Sequence, residues 1–356
     1  MENIQSQFFK SLRVVEISTV LAGPLTARFF AECGATVIKV EPPPGDVTRS
    51  WKTSNETNEV SSYFASANAG KQYMRLDLKS AEGRKKLDEL LADADVFISN
   101  LLPSSAAKLK LAPEDLRTNY PHLVAGIIEG YGNGSSRPAY DIVLQAETGF
   151  LSLTGTGSVA AKLPVAFIDL LASHQLRESL LMGLMHKQRS GNGSVSTVSL
   201  FDVAIGSLGN QAGDYLMSGN VPGRLGTLHP GISPYGDCFT CSDGRQIVLA
   251  VGSNEQFHQL CELCGKAELA AQEQFADNQA RVKHRVLLHE TLQPAFSVRP
   301  SGEWDELLQN HRVPAGIIKN LKEVLHSEAA QADILHEKID GFNVSSVKTV
   351  NLKLFS

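Results

Sequence analysis

The chain has 356 residues, 42% of them hydrophobic, and a formal net charge of −5. That length and apolar content support a large core and two domains, and the acidic balance lacks the basic surface that a sequence-independent grip on nucleic acid requires. No apolar run approaches a membrane span, the start MENIQSQFFKSLRVVEIS is not a secretory signal, and five cysteines do not make a disulfide scaffold in so long a chain. The expectation is a soluble cytoplasmic protein with neither nucleic acid nor membrane as partner.

In chain order, residues 13–19 (RVVEIST) are apolar and β-branched, which predicts a buried strand. Gly23-Pro24 breaks it, PLTARFFAEC reads as a helix closed by Gly34, and TVIKVEP is a second strand. This β-α-β start favours parallel pairing with a right-handed crossover. The alternation continues. SAEGRKKLDELLADA is a helix capped by Ser80, DVFISN a strand, APEDLRTNYP a short helix and HLVAGIIEGYG a strand. Leu170 to Arg189 is one long helix, and RSGNGS a turn into VSTVSLFDVAIGSL. The Gly/Pro-rich stretch Ser218 to Gly236 is a linker, CFTCSDGRQIVLAV a hairpin turning at Asp243-Gly244, and SNEQFHQLCELCG a helix ended by Gly265. The predicted class is α/β: a Rossmann-like large domain with an open parallel sheet over 1–217, a linker and smaller α+β domain over 218–312, and a segment, 313–356, returning to the large domain.

The front block has no GxGxxG turn after its first strand, which disfavours a nicotinamide-dinucleotide site. Two CxxC pairs, Cys238/Cys241 and Cys261/Cys264, are spaced like a zinc ribbon. They fall on a strand and inside an amphipathic helix, where cysteine is ordinarily a small buried apolar residue, so no metal is expected. The histidines form no ligand pair. His174, about one helical turn past Asp169, reads as a surface partner. Asp169 stands alone in LPVAFIDLLA, and sequence physics alone makes such an acid a helix N-cap more readily than a catalyst.

An ordered set of short motifs resembles the class III coenzyme A-transferases, the family of formyl-CoA and carnitine CoA-transferases. It runs through Val20 to Pro24 (VLAGP), Gly34 to Glu41 (GATVIKVE) and Gly45-Asp46 with Arg49. Asn68 with Lys71, Leu76 to Lys79, DVFISN ending at Asn100, Gly130 to Gly132 and Tyr140 to Ala146 follow. Thr154-Gly155, Asp169, Arg189 to Gly193, Arg224 to Tyr235 and Val313 to Leu325 complete it. The chain departs from the pattern at Ser173, where a glycine is frequent, and at Ala69 and Gln72, where arginines are common.

The resemblance implies an interlocked homodimer acting on an acyl-CoA and a small carboxylic acid. Asp169 would be the nucleophile, forming an acyl anhydride and then a CoA thioester, with coenzyme A as substrate and product and no metal. It assigns Val20, Leu21 and Ala22 to the thioester end of CoA, Lys71 and Lys108 to its phosphates, Asn100, Leu101 and Leu102 to the nucleotide, and Gly130 and Tyr131 to the pocket rim. Two alternatives share the fold. One is an α-methylacyl-CoA racemase, disfavoured because Tyr140 stands where racemases carry histidine and a phenol is a poor α-proton base. The other is a non-catalytic CoA-binding member.

Overall fold

The computed structural model describes residues 5–355. The chain forms two compact units, one running through Leu151 and comprising also Lys162–Val221 and the chain from Gln331 onward, the other comprising Ser152–Ala161 and Pro222–Ala330.

In the first unit, β1 (Arg13–Ile17), β2 (Thr36–Glu41), β3 (Gln72–Arg75), β4 (Val96–Ser99) and β5 (Val124–Glu129) come first in the chain. The two-residue strands β6 (Gly155–Thr156) and β7 (Val159–Ala160) lie in the second unit, and β8 (Ser194–Ser199) completes the first unit's sheet. Its six strands lie in the order β3-β2-β1-β4-β5-β8, all pairs parallel. Both faces of a parallel sheet must be covered, and β1, β2, β4 and β5 accordingly read as nearly unbroken apolar runs. One face packs on α1 (Ala22–Glu32) and α8 (Phe167–Ser190), and the other on α3 (Ala81–Ala92) and α5 (Pro113–Asn119). The strand order reverses between β1 and β4, which is where doubly wound sheets open a crevice beyond their carboxyl ends.

Local chemistry explains the helix ends. Ser80 accepts the Gly83 N–H at 3.0 Å to start α3. At the end of α8, Gly191 takes φ 78° and its N–H returns to the Lys187 carbonyl at 2.8 Å. Buried charges on β1 and β2 run against the apolar pattern. Glu16 on β1 sits directly across from Lys39 on β2, both fully buried, and their side chains pair at 3.1 Å.

The second unit has a three-stranded antiparallel sheet, in the order β11-β10-β9, built from β9 (Tyr235–Thr240), β10 (Gln246–Ala250) and β11 (Ala315–Ile317). The hairpin turns where the sequence puts Asp243-Gly244, with Gly244 at φ 76°. The segment from Val313, expected to return to the large domain, contributes β11 to this sheet because Val313 and Ala315 pack into the second unit's core. Re-entry comes at Gln331. There β12 (Ile334–Ile339) and β13 (Phe342–Val347) form a hairpin around Asp340 and Gly341 at φ 50° and 87°. Positive φ at both central residues is the requirement of a type I′ turn, so the alternation ILHEKI-DG-FNVSSV carried a signal that the sequence reading passed over.

All five cysteines are free. Cys241 and Cys261 are buried in the second unit's hydrophobic core, and no cluster of three or more metal-ligating side chains occurs among the described residues.

Candidate active site

The helices α1 and α8 both lead into strands that run parallel to their neighbours, so both run antiparallel to the sheet and bring their N-terminal ends to its carboxyl edge. They also touch: Thr26 of α1 donates to the Ser173 hydroxyl at 3.2 Å, and Arg177 donates to the Leu25 carbonyl at 3.0 Å. One turn before Ser173 lies Asp169, the third residue of α8. It does not cap the helix. That role falls to Asp141 at the start of α6 (Asp141–Glu147), whose Oδ1 accepts the Ile168 N–H at 2.8 Å while Oδ2 accepts from Gln145 at 2.5 Å. Asp169 therefore keeps its oxygens uncommitted, without a hydrogen bond or ion pair among the described residues, and is only 9% exposed. Burial, with the Asp141 charge beside it, pushes its carboxyl up to about 7. His174 is exposed, on the solvent side of α8.

The turn from β1 to α1 is the second component. Val20 adopts φ 71°, a left-handed conformation that is costly for a β-branched residue. Leu21 caps α1 without a side-chain hydrogen bond, leaving first-turn N–H groups of α1 without a side-chain acceptor. Gly23 is dictated by packing, since a Cβ there would lie 2.4 Å from the Ser18 hydroxyl. Beside this turn, beyond the ends of β1 and β4, opens a cleft of 860 Å³ lined by Thr19, Pro43, Asn100, Leu101, Leu102 and Lys108.

Asn100, Leu101, Leu102 and Lys108 thus share one cleft with the residue that leads into Val20, Leu21 and Ala22. Asn100 is less available than expected: its side chain accepts the Thr19 N–H at 3.0 Å and donates to the Thr19 carbonyl at 2.8 Å, which ties the first turn to the end of β4. Lys108, at the end of α4 (Pro103–Lys108), is exposed. Gly130 and Tyr131 lie at the carboxyl end of β5, where Gly130 admits Ala139 and the Tyr131 hydroxyl donates to Glu147 at 2.7 Å.

Lys71 corrects the reading that gave it a phosphate. Its ammonium is buried and donates to Glu16 at 2.7 Å, to the Pro24 carbonyl at 2.9 Å and to Asn68 at 2.9 Å. Burial pulls it down to about 7, with Glu16 pulling the other way. With all three donors used inside the protein, none is left for a ligand.

Two residues were missed. Asp141 was quoted only as part of a motif, and nothing in the pattern shows it capping a helix that starts 26 residues later. Tyr63, on α2 (Ser62–Asn68), stands edge-on to Trp51 at 5.3 Å. Its hydroxyl is pushed up to about 12, first by burial and then by Asp169, Asp141 and Asp46, which puts it within the field of both carboxylates.

A doubly wound sheet with a switch-point cleft, and a buried acid without a polar partner among the described residues at the N-terminus of a crossover helix, define an open α/β protein. Residues 9–355 match the model of CoA-transferase family III. The chain is 34% identical to the succinate–glutarate CoA-transferase of Agrobacterium fabrum over 351 residues, covering 95% of this chain and 87% of that protein. It is 32% identical to the human succinyl-CoA:glutarate CoA-transferase over 341 residues, 94% of this chain and 76% of the relative. The crystal structure of a CAIB/BAIF family protein from Brucella suis superposes with a TM-score of 0.82 at 33% identity, covering 97% of this chain and 92% of that one. The chain belongs to CoA-transferase family III and is a class III CoA-transferase.

Proposed function

We propose that the protein moves coenzyme A from an acyl-CoA to a small carboxylic acid through covalent intermediates on Asp169. The observation that carries this reading is the carboxylate itself: buried, without a polar partner among the described residues, and in the first turn of a 24-residue helix. A carboxylate that is desolvated and free of hydrogen bonds is a competent nucleophile. The helix N-terminus favours its anion, against the burial that favours its acid. Its position near 7 leaves a substantial ionised fraction at neutral pH.

The chemistry balances without a metal. An Asp169 oxygen attacks the acyl carbon, the C–S bond breaks, and CoA leaves as a thiolate, with the acyl group held as a mixed anhydride. The thiolate then attacks Cγ of Asp169 and expels the donor carboxylate, leaving an aspartyl-CoA thioester. The acceptor carboxylate attacks Cγ, forms a second anhydride and frees the thiolate, and the thiolate takes the acceptor's acyl group and regenerates Asp169. Each tetrahedral oxyanion needs donors, and the N–H groups in the first turn of α1 are of the right kind. The cleft by Asn100 and Leu101 suits the nucleotide, and Lys108 is a mobile charge for a phosphate. Small dicarboxylates are the substrate class, supported by the names of the two relatives at 34% and 32% identity.

The racemase reading needs a second acid-base group facing the α-carbon. Asp141 is the nearest candidate, but both its oxygens already accept hydrogen bonds. The homodimer reading draws on exposed apolar side chains: Met182 and Met185 on α8, and Leu216 and Met217 on α10 (Gly209–Ser218), a helix with no buried residue. A second copy covers such surface in this reading. No helix among the described residues is long and apolar enough to cross a membrane, and five free thiols suit a reducing cytoplasm.

The test is intact-protein mass spectrometry after incubation with succinyl-CoA or other acyl-CoAs, with hydroxylamine trapping. A hydroxamate mapped to Asp169 and absent from Asp169→Ala is the expected result. No adduct, together with deuterium uptake at the acyl α-carbon, would replace this reading with the racemase.

A further inference from the structure

Four buried charged side chains form a network around the β1–α1 turn. Glu16 is the hub. Its Oε1 accepts from Lys39 at 3.1 Å and from the Ser18 hydroxyl at 2.6 Å, and its Oε2 accepts from Lys71 at 2.7 Å. Each lysine then reaches past the glutamate to a backbone carbonyl of the turn. Lys39 donates to the Ser18 carbonyl at 2.6 Å and Lys71 to the Pro24 carbonyl at 2.9 Å. Asp46 completes the set at 3.0 Å from Lys39, and every one of the four side chains is fully buried. With both lysines protonated, two carboxylates balance two ammonium groups.

A buried ion pair is a weak source of stability, because desolvation offsets most of the attraction. This network does something else. Its two cations grip the entry and the exit of a turn whose middle residue, Val20, is held at φ 71°. Strain of that kind persists only where the surroundings over-determine the backbone. Asn100 grips Thr19 from the other side, through both its N–H and its carbonyl. Only Val20, Leu21, Ala22 and Gly23 lie between the gripped ends.

We propose that Lys71 is a positioning residue: acting through Glu16 and the Pro24 carbonyl, it locks the strained Val20 turn, and with it the first-turn N–H groups of α1, in the geometry that meets the acyl thioester. The proposal rests on the reading of this cleft as the acyl-CoA site. It places Lys71 out of contact with substrate, and it explains why a lysine is kept where burial opposes its charge.

Lys71→Met alone strands half the charge of Glu16 in the interior and risks misfolding. The decisive variant is Glu16→Gln with Lys71→Met, which removes one charge of each sign and leaves Lys39 paired with Asp46. Two readouts are needed. Hydrogen–deuterium exchange of the peptide covering residues 20–26 is expected to speed up about tenfold in the double variant, with exchange elsewhere in the parallel sheet unchanged. Steady-state transfer from succinyl-CoA to glutarate is expected to lose about tenfold in kcat, while KM for the acyl-CoA moves less than about threefold, because alignment is lost and binding contacts are not. Unaltered exchange at residues 20–26 in the folded double variant overturns the clamp. Faster exchange with undiminished kcat overturns its role in positioning. Failure of the wild type to form an Asp169 adduct would sink the functional reading instead, and the exchange result would still decide the clamp.

Discussion

Asp169 and Asp141 illustrate how two adjacent acids acquire different tasks. Asp141 accepts one hydrogen bond on each oxygen, from the Ile168 N–H and from Gln145, whereas Asp169 has none among the described residues, and the Asp141 charge adds to the burial that raises its carboxyl to about 7. In the proposed mechanism the reactive form is the anion, so kcat/KM for transfer is expected to rise with pH through an acid limb near 7. Asp141→Asn removes the neighbouring charge yet keeps an oxygen for the Ile168 N–H, so that limb moves to lower pH; a pH–rate profile in which it stays put would exclude Asp141 as the cause. Stability has the opposite slope. Because the folded-state carboxyl titrates above its unfolded value, the folded protein holds a proton that the unfolded chain has already lost, and the stabilisation it confers fades as pH rises from about 4 through 7. Asp169→Asn abolishes transfer and, by removing a buried charge, gains about 1–3 kcal/mol over the wild type at pH 8 but little at pH 4. Urea denaturation of both proteins at the two pH values measures this. The sequence singled out Asp169 through its motif context, but its lack of partners was illegible, since that depends on Asp141 taking over the cap.

At the scale of elements, the β-α-β rhythm was readable because β1, β2, β4 and β5 are short, largely apolar runs and α1 and α8 each carry a glycine stop signal. Gly34 at φ 96° and Gly191 at φ 78° end α1 and α8 where the sequence placed them. The polar edge strand β3 was not readable: QYMR alternates no more than a loop does, and it is a strand only because β2 offers it a ladder. Lys71 was misread for a related reason. A lone lysine after a helix looks like a surface charge, and only the register that sets Glu16 beside Lys39 creates the buried acid it answers. Gly23 belongs to this scale, because its role is to let α1 start against β1. A methyl group there would displace the Ser18 side chain and break its 2.6 Å hydrogen bond to Glu16. Gly23→Ala is therefore expected to cost about 1–3 kcal/mol, as overpacking does, and to lower kcat more than Ser18→Gly, which removes both obstructing atoms, the hydroxyl and the Cβ. Thermal melts and transfer assays of the two single variants and of the double variant test the order. A double variant that recovers most of the stability lost by Gly23→Ala is the outcome that supports steric crowding.

The whole chain must leave the first unit after Val221 and come back at Gln331, and the fold depends on that return being fastened. Ile339 and Val344 pack against Val60 and Phe64, Arg49 pairs with Asp340 at 2.9 Å, and one turn of α1 supplies a further set of polar ties. Arg28 is fully buried and donates to the Ser346 hydroxyl and the Val347 carbonyl, each at 3.0 Å, and also to the Ser66 carbonyl of α2. Glu32, paired with Arg28 at 2.7 Å, accepts the Thr349 N–H at 2.9 Å and the Val350 N–H at 2.8 Å. One helix that opens at the proposed thioester site thus holds the end of the chain at its far end. This closure was only partly legible: the family resemblance implied a return, but a charge pair inside ARFFAE reads as an ordinary solvated i,i+4 pair until β13 arrives to bury it. Glu32→Ala leaves the Arg28 guanidinium without its carboxylate in a buried site and frees two backbone N–H groups, a combination that costs about 3–5 kcal/mol. Glu32→Gln keeps an acceptor oxygen and costs less. If the return segment is a fastened flap, limited proteolysis of Glu32→Ala cuts within residues 331–355 before it cuts the parallel sheet, and Glu32→Gln shows an intermediate rate. Simultaneous cleavage throughout the first unit would mean instead that the hairpin and the sheet unfold as a single cooperative body.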